Sequence, residues 1–166
     1  MDLVILFKLK TKMAKMFILD DFDRRILNLA QANNQRTHAD IGNEIGLSTS
    51  SVRRRLARLR ADGIIVRDAA RLDADAHGVT LIVSVSFREE APQTYSAFDT
   101  QMRSEAPVKQ SYHVAGDEDY ILIVHGPSLK WYEEWSKRVL MSNAAIRRYS
   151  STVVWTCKKF ETAIEL

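Results

Sequence analysis

The stretch T37-HADIGNEIGLSTSSVRRRLARLRA-D62 decides how this chain is read. Val52, Leu56 and Leu59 recur at i, i+4 and i+7, which is one face of an α-helix. At about 100° per residue that stripe lies opposite Ser50, Arg54 and Ala57, with Ser51, Arg53 and Arg58 beside them. Five arginines and no acid fall between Ser50 and Arg60. One side of the helix must pack, while the other offers guanidinium groups and small hydroxyls. Just upstream, Ile41 and Ile45 mark a shorter helix, and Gly46-Leu47-Ser48 a tight turn. Two helices joined by a Gly-containing turn form the helix-turn-helix pattern, whose second helix enters the DNA major groove.

Working outward, Asp20, Asp21 and Asp23 load the first turn of an earlier helix, where carboxylates suit the dipole. Phe22, Ile26, Leu27 and Leu29 give it an apolar face, and Asn33-Asn34 end it. Thr37 or His38 opens the second helix, Ser48 to Ser51 cap the third, and Asp62-Gly63 stops it. Ile64-Ile65-Val66 and Arg71-Leu72 read as a small hairpin, so residues 19–72 predict a winged helix-turn-helix. Residues 1–18 mix LVILF with four lysines and two alternative starts, Met13 and Met16, and read as an N-terminal extension.

DADAHG at 73–78 is polar and aperiodic, and residues 73–79 read as a hinge. Beyond it the period changes. Leu81, Val83, Val85 and Phe87 alternate with Ile82, Ser84 and Ser86 in a strand. Tyr95, Phe98 and Met102 mark a helix over 92–104, with strands at 108–114 and 120–124. Leu129, Tyr132, Trp135, Val139 and Leu140 mark a second helix, and a long strand runs over 147–158. Residues 80–166 are thus a β-α-β-β-α-β ferredoxin-like sandwich, and the fold class is α+β. One sheet face lacks a helix layer, and a second subunit is its simplest cover.

Composition is that of an ordinary globular chain, 46% apolar and 27% charged. Residues 1–63 hold twelve Lys/Arg and seven Asp/Glu (+5); residues 64–166 hold twelve and fourteen (−2). That asymmetry points to a polyanion partner for the first part only. The single Cys157 excludes an intramolecular disulfide and, in an apolar run, reads as a buried, inert thiol. No apolar run reaches membrane-span length and LVILF is too short for a signal-peptide core, so the expected location is the cytoplasm with no membrane partner.

Catalysis finds little support. The histidines at 38, 77, 113 and 125 are scattered, and no Cys-x-x-Cys, G-x-S-x-G or glycine-rich phosphate loop occurs. No metal, cofactor or catalytic residue is expected. GDEDY at 116–120 places three acids between two strands. It reads either as a solvated turn or as a carboxylate cluster for an ammonium group, with turn N–H groups free for a carboxylate.

Taken jointly, LDDFDRRIL at 19–27, ADIGNEIGLSTSSVRRRLARLRADGII at 39–65, the linker ending HG, GDEDYILIV at 116–124 and IRRYSSTVVW at 146–155 resemble the leucine-responsive/asparagine-regulator (Lrp/AsnC) transcription factors. The resemblance implies a sequence-specific regulator of double-stranded DNA that dimerises through its sheets, often assembles to octamers, and binds a small effector, typically an amino acid. It implies a DNA contact through Ser50, Ser51, Arg53, Arg54 and Arg58. The effector site it implies comprises Gly116, Asp117, Asp119 and Tyr120, with Ser151 and Thr152 from the last strand. Arg55 and Arg60 are the arginines expected to be structural. The chain departs from the family pattern at Tyr149, where Thr is common, and at Ala144-Ala145, where Pro-Gly is common. A sirohaem-decarboxylase-like enzyme on the same two-domain fold is the alternative, and the arginine-rich helix argues against it.

Overall fold

The computed structural model describes residues 18–166, so nearly all of the expected extension at 1–18 lies outside the described residues. The chain divides into two compact units. One comprises residues up to Ala70 together with Glu161–Leu166, and the other is Arg71–Phe160.

The first unit is three helices, α1 (Asp21–Ala32), α2 (His38–Ile45) and α3 (Thr49–Ala61). Each starts where a side chain replaces the missing intrahelical acceptor. Asp20 and Asp23 form a reciprocal capping box on α1, Thr37 and Asp40 another on α2, and Ser48 accepts from Ser51 N–H on α3. Ile26 and Leu27 of α1, Ile41 and Ile45 of α2, and Val52, Leu56 and Leu59 of α3 close a single core. The α2–α3 turn depends on two glycines. Gly46 ends α2 at φ 76°, the left-handed conformation that favours glycine. A Cβ on Gly42 would stand 2.4 Å from the Leu47 carbonyl oxygen, so only glycine lets the turn fold this tightly.

The expected hairpin after α3 does not form. No strand occurs between α3 and Val79; Ile64 and Ile65 donate their N–H groups to the Leu59 carbonyl at 2.9 and 3.1 Å. Both are half-buried against the core, while Val66 is exposed. Arms of two or three residues supply too few ladder bonds to hold a two-stranded ribbon, so the segment after α3 carries no strand pairing. Glu161–Leu166 clusters with the first unit, its residues all exposed. The Gln31 side chain brackets the Ile164 backbone, donating to its carbonyl (3.0 Å) and accepting from its N–H (2.8 Å).

The second unit is a four-stranded antiparallel sheet with two helices on one face. The elements are β1 (Val79–Phe87), α4 (Pro92–Ser104), β2 (Val108–His113), β3 (Tyr120–Gly126), α5 (Leu129–Ser136, continued by a π-helical turn Lys137–Met141) and β4 (Ile146–Val154). The strand order β2-β3-β1-β4 is the ferredoxin-like arrangement. Leu81, Val83, Val85 and Phe87 point into a core with Phe98, Met102, Leu122, Val124, Trp135 and Leu140. The opposite sheet face carries Ile82 and Tyr112, which are 42% and 51% exposed.

Two end effects differ from the sequence expectation. β4 stops at Val154 rather than at 158, because its partner β1 begins at Val79 and offers nothing further to pair with. Cys157, expected to be buried, is exposed for the same reason: it lies beyond the last paired residue. Arg71 lies over the Phe160 ring at 4.1 Å and donates to the Phe160 carbonyl, closing the sequence ends of this unit on each other.

Candidate functional site

Helix α3 sorts its arginines by what the acids of the first unit take from them. Arg55 is held inside the unit, donating to Asp20 (2.7 Å) and Asp23 (2.8 Å) and lying 5.6 Å over Phe22. Arg60 pairs with Asp68 at 2.9 Å. These are the two arginines expected to be structural. Arg58, expected on the outward face, remains 48% exposed but gives one donor to the buried Asp23 carboxylate. Arg53 and Arg54 are exposed, and neither has an ion pair with any described residue. Ser50 is exposed and Ser51 half-buried, and both hydroxyls sit within hydrogen-bond reach of Ser48 Oγ at the helix start.

Asp20 and Arg55 show the electrostatic consequence. The Asp23 N–H, then Arg55, hold the Asp20 carboxyl below its ordinary range, and the hydrogen bonds Arg55 donates to Asp20 and Asp23 push its own pKa up. The role of Asp23 was missed in the sequence because an acid in a first helical turn already has a sufficient explanation in the dipole. Arg55 and Arg58 at i, i+3 were the available signal.

In the second unit the acidic hairpin is largely consumed by its own fold. Asp119 accepts from Phe87 N–H (2.8 Å) and from the Tyr95 hydroxyl (2.9 Å). The Tyr120 hydroxyl donates to Asp99 (2.8 Å), and its ring is buried beside Phe87 and Phe98. Burial first, and then the neighbouring carboxylate, push both tyrosine hydroxyls upward, so they stay protonated donors. Glu118 takes Ser86 and Arg148. Asp117 is exposed with no partner among the described residues, and at Gly116 nothing stands within 4 Å of a Cβ position.

Ser151 and Thr152 stand elsewhere on the sheet. Ser151 pairs with Val83 and Tyr120 with Val85, so two strand spacings and two residues separate them, roughly 12 Å. The Ser151 hydroxyl meets the Tyr132 hydroxyl at 2.6 Å, on the helix side, and Thr152 therefore faces the open side. One chain brings Gly116, Asp117, Asp119 and Tyr120 together, but not Ser151 and Thr152 with them.

Comparison with known proteins agrees with both halves. Residues 19–66 match the model for winged helix-turn-helix DNA-binding domains, and residues 80–164 the model for the Lrp/AsnC ligand binding domain. An uncharacterized HTH-type transcriptional regulator of Sinorhizobium fredii is 35% identical over 150 residues, 89% of each chain. Among solved structures, an AsnC family transcriptional regulator from Agrobacterium tumefaciens is 30% identical with a TM-score of 0.79, covering 88% of this chain and 96% of its own. The Neisseria meningitidis regulator NMB0573, solved as an L-Met complex, is 26% identical with a TM-score of 0.80, covering 89% and 96%. With a helix-turn-helix that leaves two arginines of its second helix unpaired, followed by a β2-β3-β1-β4 sandwich, the chain belongs to the Lrp/AsnC family and is a DNA-binding transcriptional regulator.

Proposed function

We propose that this regulator meets DNA through Ser50, Ser51, Arg53, Arg54 and Arg58, and answers to an amino acid held by the acidic hairpin. The observation that carries the DNA side is the exposed, unpaired Arg53–Arg54 pair on α3. Such a pair serves a phosphate contact and has no use in the sirohaem-decarboxylase-like alternative. Each phosphate contact removed lowers the slope of log affinity against log salt by about 0.9. Arg53→Ala with Arg54→Ala is expected to flatten that slope and weaken binding to promoter fragments. Unchanged affinity and slope would remove α3 from the interface.

On the ligand side, the free Asp117 carboxylate suits an ammonium group, and the open backbone at Gly116 lets a ligand carboxylate approach turn N–H groups. The L-Met complex of the Neisseria relative supports an amino acid as the ligand class. Ser151 and Thr152 lie apart from the hairpin within one chain, so the reading joins them to it across a subunit boundary. The open sheet face with Ile82 and Tyr112 supports a homodimer; assembly to octamers and a cytoplasmic location belong to the same reading and follow from membership of the family. The ligand reading is tested by melting the protein with each of the twenty amino acids. One of them is expected to raise the melting temperature, and Asp117→Asn to abolish that rise; twenty flat responses would sink it.

A further inference from the structure

Among the described residues Asp23 is the one buried carboxylate. It stands at the third position of α1 and gathers three donors: the Asp20 N–H at 3.3 Å, Arg55 Nη1 at 2.8 Å and Arg58 Nη2. The two arginines differ in what remains to them. Arg55 is only 23% exposed and spends itself on Asp20, Asp23 and the Phe22 ring. Arg58 is 48% exposed, and a guanidinium carries five N–H donors. Its contact with Asp23 uses one terminal nitrogen and leaves the rest of the fork toward solvent, on the same helix as the unpaired Arg53 and Arg54.

Releasing Arg58 would take one of three donors from a buried carboxylate and leave Asp23 with Arg55 Nη1 and the Asp20 N–H. Losing a charge-assisted hydrogen bond to a buried charge is costly, so the state in which Arg58 stays on Asp23 is the favoured one for DNA to meet. A guanidinium already fixed by a carboxylate loses little freedom on binding, and its remaining donors have a set direction. We propose that Asp23 is a positioning residue for DNA recognition, locking the Arg58 fork from behind so that it reads geometry while Arg53 and Arg54 supply mobile charge. This rests on the reading that α3 faces DNA.

The test compares two probes: the duplex that the wild-type protein selects most strongly from a random-sequence pool, and poly(dI-dC) as an unspecific reference. The readout is the ratio of the two affinities, which partial unfolding leaves untouched because it scales both alike. Asp23→Asn is expected to lower the ratio about tenfold, the size of one oriented arginine contact. It should also steepen the salt dependence on poly(dI-dC), since a cation has been released. In an Arg58→Ala background the same change should move the ratio less than twofold. Losses that multiply, or a wild-type ratio in Asp23→Asn, would overturn the proposal.

Should Asp23→Asn fail to fold, Arg58→Lys keeps the charge and removes the fork. It is expected to lower the ratio about tenfold, and a wild-type ratio would overturn the proposal. If Arg53→Ala with Arg54→Ala leaves both affinities unchanged, the α3 reading itself fails. If that pair weakens binding while the Asp23 and Arg58 losses multiply, only the role of Asp23 fails.

Discussion

Glu105 shows how a single carboxylate couples the second unit to pH. It accepts from both terminal nitrogens of Arg138 (3.0 and 3.1 Å) and from the Trp135 indole N–H (2.9 Å). The Arg138 hydrogen bond, and then the Trp135 one, hold its carboxyl below the ordinary glutamate range despite burial. A folded value depressed in this way stabilises the protein above the unfolded value of about 4.3, and the contribution is lost as pH falls through the folded value. Glu105→Gln is therefore expected to melt earlier than wild type at pH 7, with the gap narrowing by pH 3, as followed by circular dichroism. At this scale the sequence was legible where a residue had one job. Arg55 and Arg60 stand where a wheel puts residues nearer the packed stripe, and both are paired. Asp23 was not legible, since its burial is produced by two arginines more than thirty residues away.

Helices were readable because their signals are local. Asp20, Thr37 and Ser48 each cap a helix within three residues, and Pro92 opens α4. Strand ends were less so, because a strand ends where its partner does: β4 stops at Val154 opposite Thr80. The hairpin after α3 was over-read from β-branched composition alone. The turn before α3 gives the sharpest element-scale test. Gly42→Ala forces a Cβ to 2.4 Å from the Leu47 carbonyl, backbone that cannot rotate aside. The expected cost is about 1–3 kcal/mol, the range for overpacking. Leu56→Ala, which empties the fully packed stripe of α3, is expected to cost about 2–5 kcal/mol. Urea denaturation measures both, and in each case the DNA-binding unit should be the one that yields first.

For the molecule as a whole, the order of elements carried the ferredoxin-like topology, since β-α-β-β-α-β with one unhelical face leaves few ways to connect the strands. The same reasoning makes the open face a testable interface: Ile82→Glu is expected to shift the protein to monomer in sedimentation, leaving its melting profile nearly intact. Less visible from sequence was the return of the chain's end. Glu161–Leu166 shows no periodicity, yet it lies against the first unit, with Gln31 clasping the Ile164 backbone. The DNA-binding unit is thus encoded in two pieces separated by the whole of the other unit. A premature stop after Val154 would therefore strip two hydrogen bonds from α1, and urea denaturation is expected to register that loss in the DNA-binding unit although the lesion lies nearly a hundred codons from α3.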